Sequence, residues 1–173
     1  MTLRMAACVG LALLSGCGYG FVAAGSPQVL GVVAITEFSN DTAEVGLGHD
    51  CAATLRDRLG TGVNPGVASA EAADLVVVGR VSHVVERPLA LASGGVDLEL
   101  EVTVAVRAVN ADGDLVYEGE VRGVDAVRSG RGAGAAHLAR GAGARRACRD
   151  AMDTLVDELR DAARYQEVRR GQP

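Results

Sequence analysis

The chain contains no lysine and no tryptophan, and aromatic residues make up only 3% of it. All 17 basic side chains are therefore arginine, and any core has to be aliphatic. Positive charge is also in short supply: 22 acidic residues against 17 basic give a formal net charge of −5. That balance argues against nucleic acid as a partner, because phosphate contacts need a basic footprint. Long apolar runs are missing too. The run from Met5 to Leu14 has ten residues, well short of the ~20 that a membrane span requires. The richness in Ala, Gly, Val and Arg reads as the mark of a GC-rich genome rather than of a function.

What the short apolar run does fit is a secretory leader, with Arg4 before it and small residues at its end. Leu14-Ser15-Gly16-Cys17 has the layout of a lipobox, in which a thiol, the side chain most easily alkylated, stands just after the cut. The expected organisation is a leader over 1–16, a lipidated tether over 17–27 beginning at Cys17, one domain over 28–165 and a frayed tail over 166–173. Acyl chains contribute ~0.8 kcal/mol per buried methylene, enough in combination to hold a domain at a bilayer surface. Gly18, rather than Asp, follows Cys17, which by analogy favours sorting to the outer membrane, on its periplasmic face.

Of the four cysteines, Cys8 leaves with the leader and Cys17 takes the lipid. Cys51 and Cys148 remain. Each lies on an apolar stripe at helical spacing: Leu47, Cys51, Leu55 and Leu59 on one, Cys148, Met152, Leu155 and Leu159 on the other. An exported domain makes a disulfide between them plausible. Two buried, unlinked thiols are the alternative, since free cysteine is among the most buried residue types.

Periodicity predicts an α+β two-layer sandwich, a four-stranded mixed sheet with two helices on one face, in the order β-α-β-β-β-α. The first strand is expected over 29–38, a helix over 46–59, and a second strand over 74–85 running parallel to the first through a right-handed crossover. Pro88 and the Ser93-Gly94-Gly95 break suggest a loop over 86–95. From Val96 to Val106 large apolar residues alternate with Asp97, Glu99, Glu101, Thr103 and Ala105, the mark of a strand with one buried face. Asn110-Ala111-Asp112-Gly113 is a turn signal, and the last strand should return over 115–124. The Gly/Ala/Arg-rich stretch 129–143 reads as a loop, and the final helix as running from about Ala144 to Arg164.

These residues resemble one family. Cys17-Gly18-Tyr19, then Phe38-Ser39-Asn40-Asp41-Thr42, Gly46-Leu47 and Ala73-Asp74-Leu75-Val76-Val77-Val78-Gly79-Arg80-Val81, followed by the Asp112-Gly113 hairpin and an alanine-rich last helix, look like the LptE family of lipopolysaccharide-assembly lipoproteins. The resemblance implies an outer-membrane lipoprotein that plugs the LptD β-barrel, assists its assembly and helps deliver lipopolysaccharide to the outer leaflet. It further implies that the polar sheet face and the loops around Asn64, Pro88 and Asp112 meet the barrel. Basic residues on the sheet would contact lipopolysaccharide. By strand parity Arg80, Arg107 and Arg122 share the polar face and are the candidates, beside Glu99, Glu101, Glu118 and Glu120; a solvated face of mixed charge is the plainer alternative. Similar lipoproteins that activate a peptidoglycan synthase (LpoB-like) or build a secretion pore (CsgG-like) remain open.

Little in the sequence points to catalysis or a cofactor. His49, His83 and His137 lack an i, i+4 partner for a metal; His49 is expected to be solvated and His83 to be half-buried on its strand. The glycines near 132 and 141 lack the Gly-Lys-Ser/Thr ending of a phosphate loop.

Overall fold

A computed structural model describes residues 30–60, 69–92, 95–129 and 132–170. The expected leader, the lipobox at Cys17, the tether and Asn64 lie outside these. The elements are β1 (Val33–Ile35), β2 (Ser39–Asn40), α1 (Leu47–Gly60), a 3₁₀ turn (Ala70–Ala72), β3 (Leu75–Ala92), β4 (Gly95–Asn110), β5 (Leu115–Ser129) and α2 (Ala133–Arg170). The sheet order is β1-β3-β4-β5, with β2 also beside β3. β1 and β2 run parallel to β3, whereas β3-β4 and β4-β5 are antiparallel. The sheet is mixed, and both helices cover one of its faces, as the alternation predicts.

The expected first strand is split in two. Between its halves Phe38 turns inward and is buried. Its ring lies over Gly79, where a Cβ would sit 2.5 Å from ring carbons. The rest of the core is aliphatic: Leu55, Leu100, Met152, Leu155 and Leu159 are fully buried among Val77, Val81, Val102, Val104 and Val121. Truncating such a leucine to alanine typically costs ~2–5 kcal/mol.

Four expectations are corrected. Of the loop expected over 86–95, residues 86–92 and Gly95 are strand, because β3 continues to Ala92 and pairs with β4 down to Ala92↔Gly95. Pro88 is tolerated there because β1 and β2 pair with β3 only as far as Val81, which leaves the rest of β3 at the sheet edge. Likewise β5 runs to Ser129 rather than to 124. From Ala133 onward the Gly/Ala/Arg stretch is not a loop but the first turns of α2, since alanine has the highest helix propensity and supplies Ala133, Ala135, Ala136, Ala139 and Ala142. Gly143 is needed as glycine, because a Cβ there would come within 2.4 Å of Leu100 and 2.5 Å of Val127. The helix also continues past Arg164 to Arg170.

A bulge in β3 sets the faces of the sheet. Val81 pairs with Val104 and His83 with Thr103, so Ser82 is an extra residue. Its hydroxyl donates to the Thr103 carbonyl at 3.2 Å. Before the bulge Arg80 points away from the helices; after it the parity inverts, so Val84 packs on the core while His83, Val85 and Arg87 face out. His83 is therefore exposed, not half-buried.

Candidate interaction face

The helix layer is closed by covalent and ionic links. Cys51 of α1 and Cys148 of α2 are fully buried, their Cα atoms are 5.7 Å apart, and a disulfide joins them. Around it Arg58 pairs with Asp153 at 2.7 Å and Arg145 with Asp50 at 2.8 Å. Arg140 pairs with Glu86 of β3 and with Glu44 in the loop before α1. Each half-exposed pair is worth ~0–1 kcal/mol. On the rim of α1, burial raises the Glu37 pKa but is outweighed by hydrogen bonds from His49 and Arg56, which hold the carboxyl below its usual range.

The opposite face of the sheet carries no second layer among the described residues. Strand register orders its side chains into rows across β3, β4 and β5: Val78, Arg107, Glu118; then Arg80, Ala105, Glu120; then His83, Thr103, Arg122; then Val85, Glu101, Val124. Arg80, Arg107 and Arg122 thus lie on one face, since Arg80 precedes the bulge. A groove of about 500 Å3 runs between the first two rows, over Val78 and Ala105 and between Arg80, Arg107, Glu118 and Glu120, with Ser39 at one end. Arg80 and Arg107 line it; Arg122 stands outside it.

Counter-ions are unevenly distributed. Arg80 pairs with Asp41 at 3.2 Å, on a loop tied by Asn40, whose amide donates to the Glu44 carbonyl and whose Oδ1 accepts from Thr42. Arg87 bridges Glu101 at 2.6 Å and Glu99 at 3.3 Å, and those carboxylates, Glu101 first, raise its pKa. Arg128 forks onto Asp97 at 2.8 and 3.2 Å and by that hydrogen bond, against a smaller desolvation, holds Asp97 below the usual carboxylate range. By contrast Arg107, Arg122, Glu118 and Glu120 form no ion pair among the described residues. Sequence reading missed the groove and the exposed valines Val78, Val85 and Val124 that punctuate this face; the alternation of β5 carried the signal for Val124 only.

Among the described residues no cluster of three or more His, Cys, Asp or Glu could hold a metal, and no helix is long and apolar enough to cross a membrane. The architecture is a two-layer α+β sandwich of a kind found in bacterial lipoproteins. A lipoprotein from Caulobacter crescentus is similar at 20% identity, with 73% of this chain and 90% of that one covered and a TM-score of 0.52. A minor lipoprotein from Acinetobacter baumannii is similar at 15% identity, with 78% and 94% covered and a TM-score of 0.52. These likenesses concern the fold. No curated protein matches the chain. The LptE family, described as lipopolysaccharide-assembly, matches residues 30–160, and the chain belongs to that family, which is one of assembly and not of catalysis.

Proposed function

We propose that this chain is an outer-membrane lipoprotein, anchored through Cys17 on the periplasmic face, that plugs an LptD-like β-barrel, assists its assembly and supports lipopolysaccharide transport to the outer leaflet. The observation that carries the reading is the uncovered sheet face of an LptE-family domain, where Val78, Val85 and Val124 are exposed by 48%, 39% and 45% among charges of both signs. A face of that composition suits a partner wall that is itself mixed, such as the polar interior of an outer-membrane barrel. Arg80, Arg107 and Arg122 supply the cations for lipopolysaccharide phosphates, since arginine recognises phosphate through its planar fork. Nothing in the reading requires a cofactor. The test is a pull-down of the tagged lipoprotein from detergent-solubilised outer membranes of its own organism. An LptD-like barrel recovered near one-to-one supports the proposal. A peptidoglycan synthase, a homo-oligomer or no partner refutes it.

A further inference from the structure

The geometry points to the groove on the uncovered sheet face as a binding site for a zwitterionic phospholipid headgroup, its phosphate at Arg107 and Arg80 and its primary ammonium at Glu118 and Glu120. The inference uses the face named above but does not require the barrel.

Arg107 and Glu118 are register partners on adjacent strands, a placement in which opposite charges ordinarily attract one another across the ladder. Here they form no ion pair, and the space between their rows is the groove. Glu118 and Glu120 project from the same side of β5, so two like charges stand side by side with no cation among the described residues to share. On the other flank Arg80 and Arg107 line the same groove, and Arg80 is held by an exposed carboxylate, Asp41, that a phosphate can replace with a bidentate contact. A ligand bearing only negative charge would meet two carboxylates, and one bearing only positive charge two guanidinium groups. Within this groove complementarity therefore favours both signs in one molecule over an anion alone, and the phospholipid headgroup is an alternative occupant of Arg80 and Arg107 to the lipopolysaccharide phosphates proposed above. Neighbouring strands lie ~4.8 Å apart, a separation that a phosphate and an ammonium joined by two methylenes can bridge. The floor supplied by Val78 and Ala105 is apolar, as those methylenes and the adjoining glycerol need. Two carboxylates favour a primary ammonium, which donates hydrogen bonds, over a quaternary one, which cannot.

The full chain in maltoside detergent would be titrated with dihexanoyl phosphatidylethanolamine, phosphatidylcholine and phosphatidylglycerol, and with free phosphoethanolamine. Affinity is read by calorimetry and position by the methyl resonances of Val78 and Ala105. Phosphatidylethanolamine should bind about tenfold or more tightly than phosphatidylglycerol, the scale expected of one charged hydrogen bond. Free phosphoethanolamine should be weaker than the lipid, and both methyl groups should shift. Glu118→Gln combined with Glu120→Gln should lower phosphatidylethanolamine affinity about tenfold without weakening phosphatidylglycerol, whereas Arg107→Gln should weaken both. Equal or tighter binding of phosphatidylglycerol, an unchanged affinity in the double glutamine variant, stronger binding of free phosphoethanolamine, or unshifted methyl groups would each overturn the assignment. A preference for anionic lipid alone leaves the barrel proposal standing, and a pull-down without a barrel leaves the groove standing.

Discussion

Gly123 is where β5 touches α2 backbone to backbone, and replacing it with alanine tests the packing of the two layers. A Cβ at this position would lie 1.9 Å from the Ala147 carbonyl oxygen and 2.3 Å from the Ala151 amide nitrogen. Carbon and oxygen normally approach to ~3.3 Å at closest, so strand and helix must separate by more than an ångström. Neither obstacle is a side chain that can rotate away. Relief means lifting α2, with its own buried Met152, away from Leu100 and Val121 of the sheet, all three buried within 1% of complete. Overpacking of this kind costs ~1–3 kcal/mol, occasionally more, and the entropy that alanine removes from the unfolded chain returns only ~0.4–1 kcal/mol. With the backbone as the obstacle, a net loss of ~2–3 kcal/mol is expected, which lowers the melting temperature by ~5–10 °C for a domain of this size. Circular dichroism melts would measure it. Gly143→Ala is opposed by side chains, Leu100 and Val127, rather than by backbone, and should cost less. Gly60→Ala meets nothing within 4 Å and should stay within ~0.5 kcal/mol of the parent. A Gly123→Ala protein that melts within ~2 °C of the parent, or above Gly143→Ala, would refute the close-contact reasoning.

Two further outcomes follow from the helix layer and its edge. The Cys51–Cys148 link spans 97 residues of sequence, for which the chain-entropy model gives ~4.7 kcal/mol; the paired Ala variant should lose ~2–5 kcal/mol in urea titration and, unlike the parent, be indifferent to reductant. Burial first, and then Glu158, to which its hydroxyl donates, raise the pKa of Tyr117. The fold therefore favours the neutral phenol: this contribution is fully present below the unfolded value near ~10 and is lost as pH rises through the higher folded value. Absorbance titration should show one phenol ionising above the rest, and Tyr117→Phe should remove that step along with its share of the alkaline loss of stability.

What could be read before any coordinates was whatever repeats with a fixed period. The alternation around Leu100, Val102, Val104 and Val106 placed β4 and its buried face, and the stripes through Cys51 and Cys148 oriented both helices toward each other. Parity put Arg80, Arg107 and Arg122 on one side because the irregularity of β3 falls after Arg80. What could not be read depends on a single residue or on distant neighbours. Ser82 inverts the parity of β3 with no mark in composition, which is why His83 came out exposed. Pro88 looks like a break until the strand is known to be at an edge. The glycines of α2 look like a loop until Leu100 and Val127 are seen to require Gly143. The groove exists only in register, where side chains 11 and 38 positions apart (Arg107 to Glu118, Arg80 to Glu118) come together.

The length of the longest helix fixes the proportions of the body. At ~1.5 Å of rise per residue, the 38 residues of α2 form a rod about 57 Å long, and the 18 residues of β3, at ~3.3 Å each, reach about as far. That axis is almost twice the ~30 Å hydrocarbon thickness of a bilayer. Set upright in a transmembrane pore, such a body passes the full hydrophobic depth and still extends beyond the rim. For the proposed plug, orientation relative to the membrane normal would then decide between a stopper at one mouth and a shaft running the length of the pore.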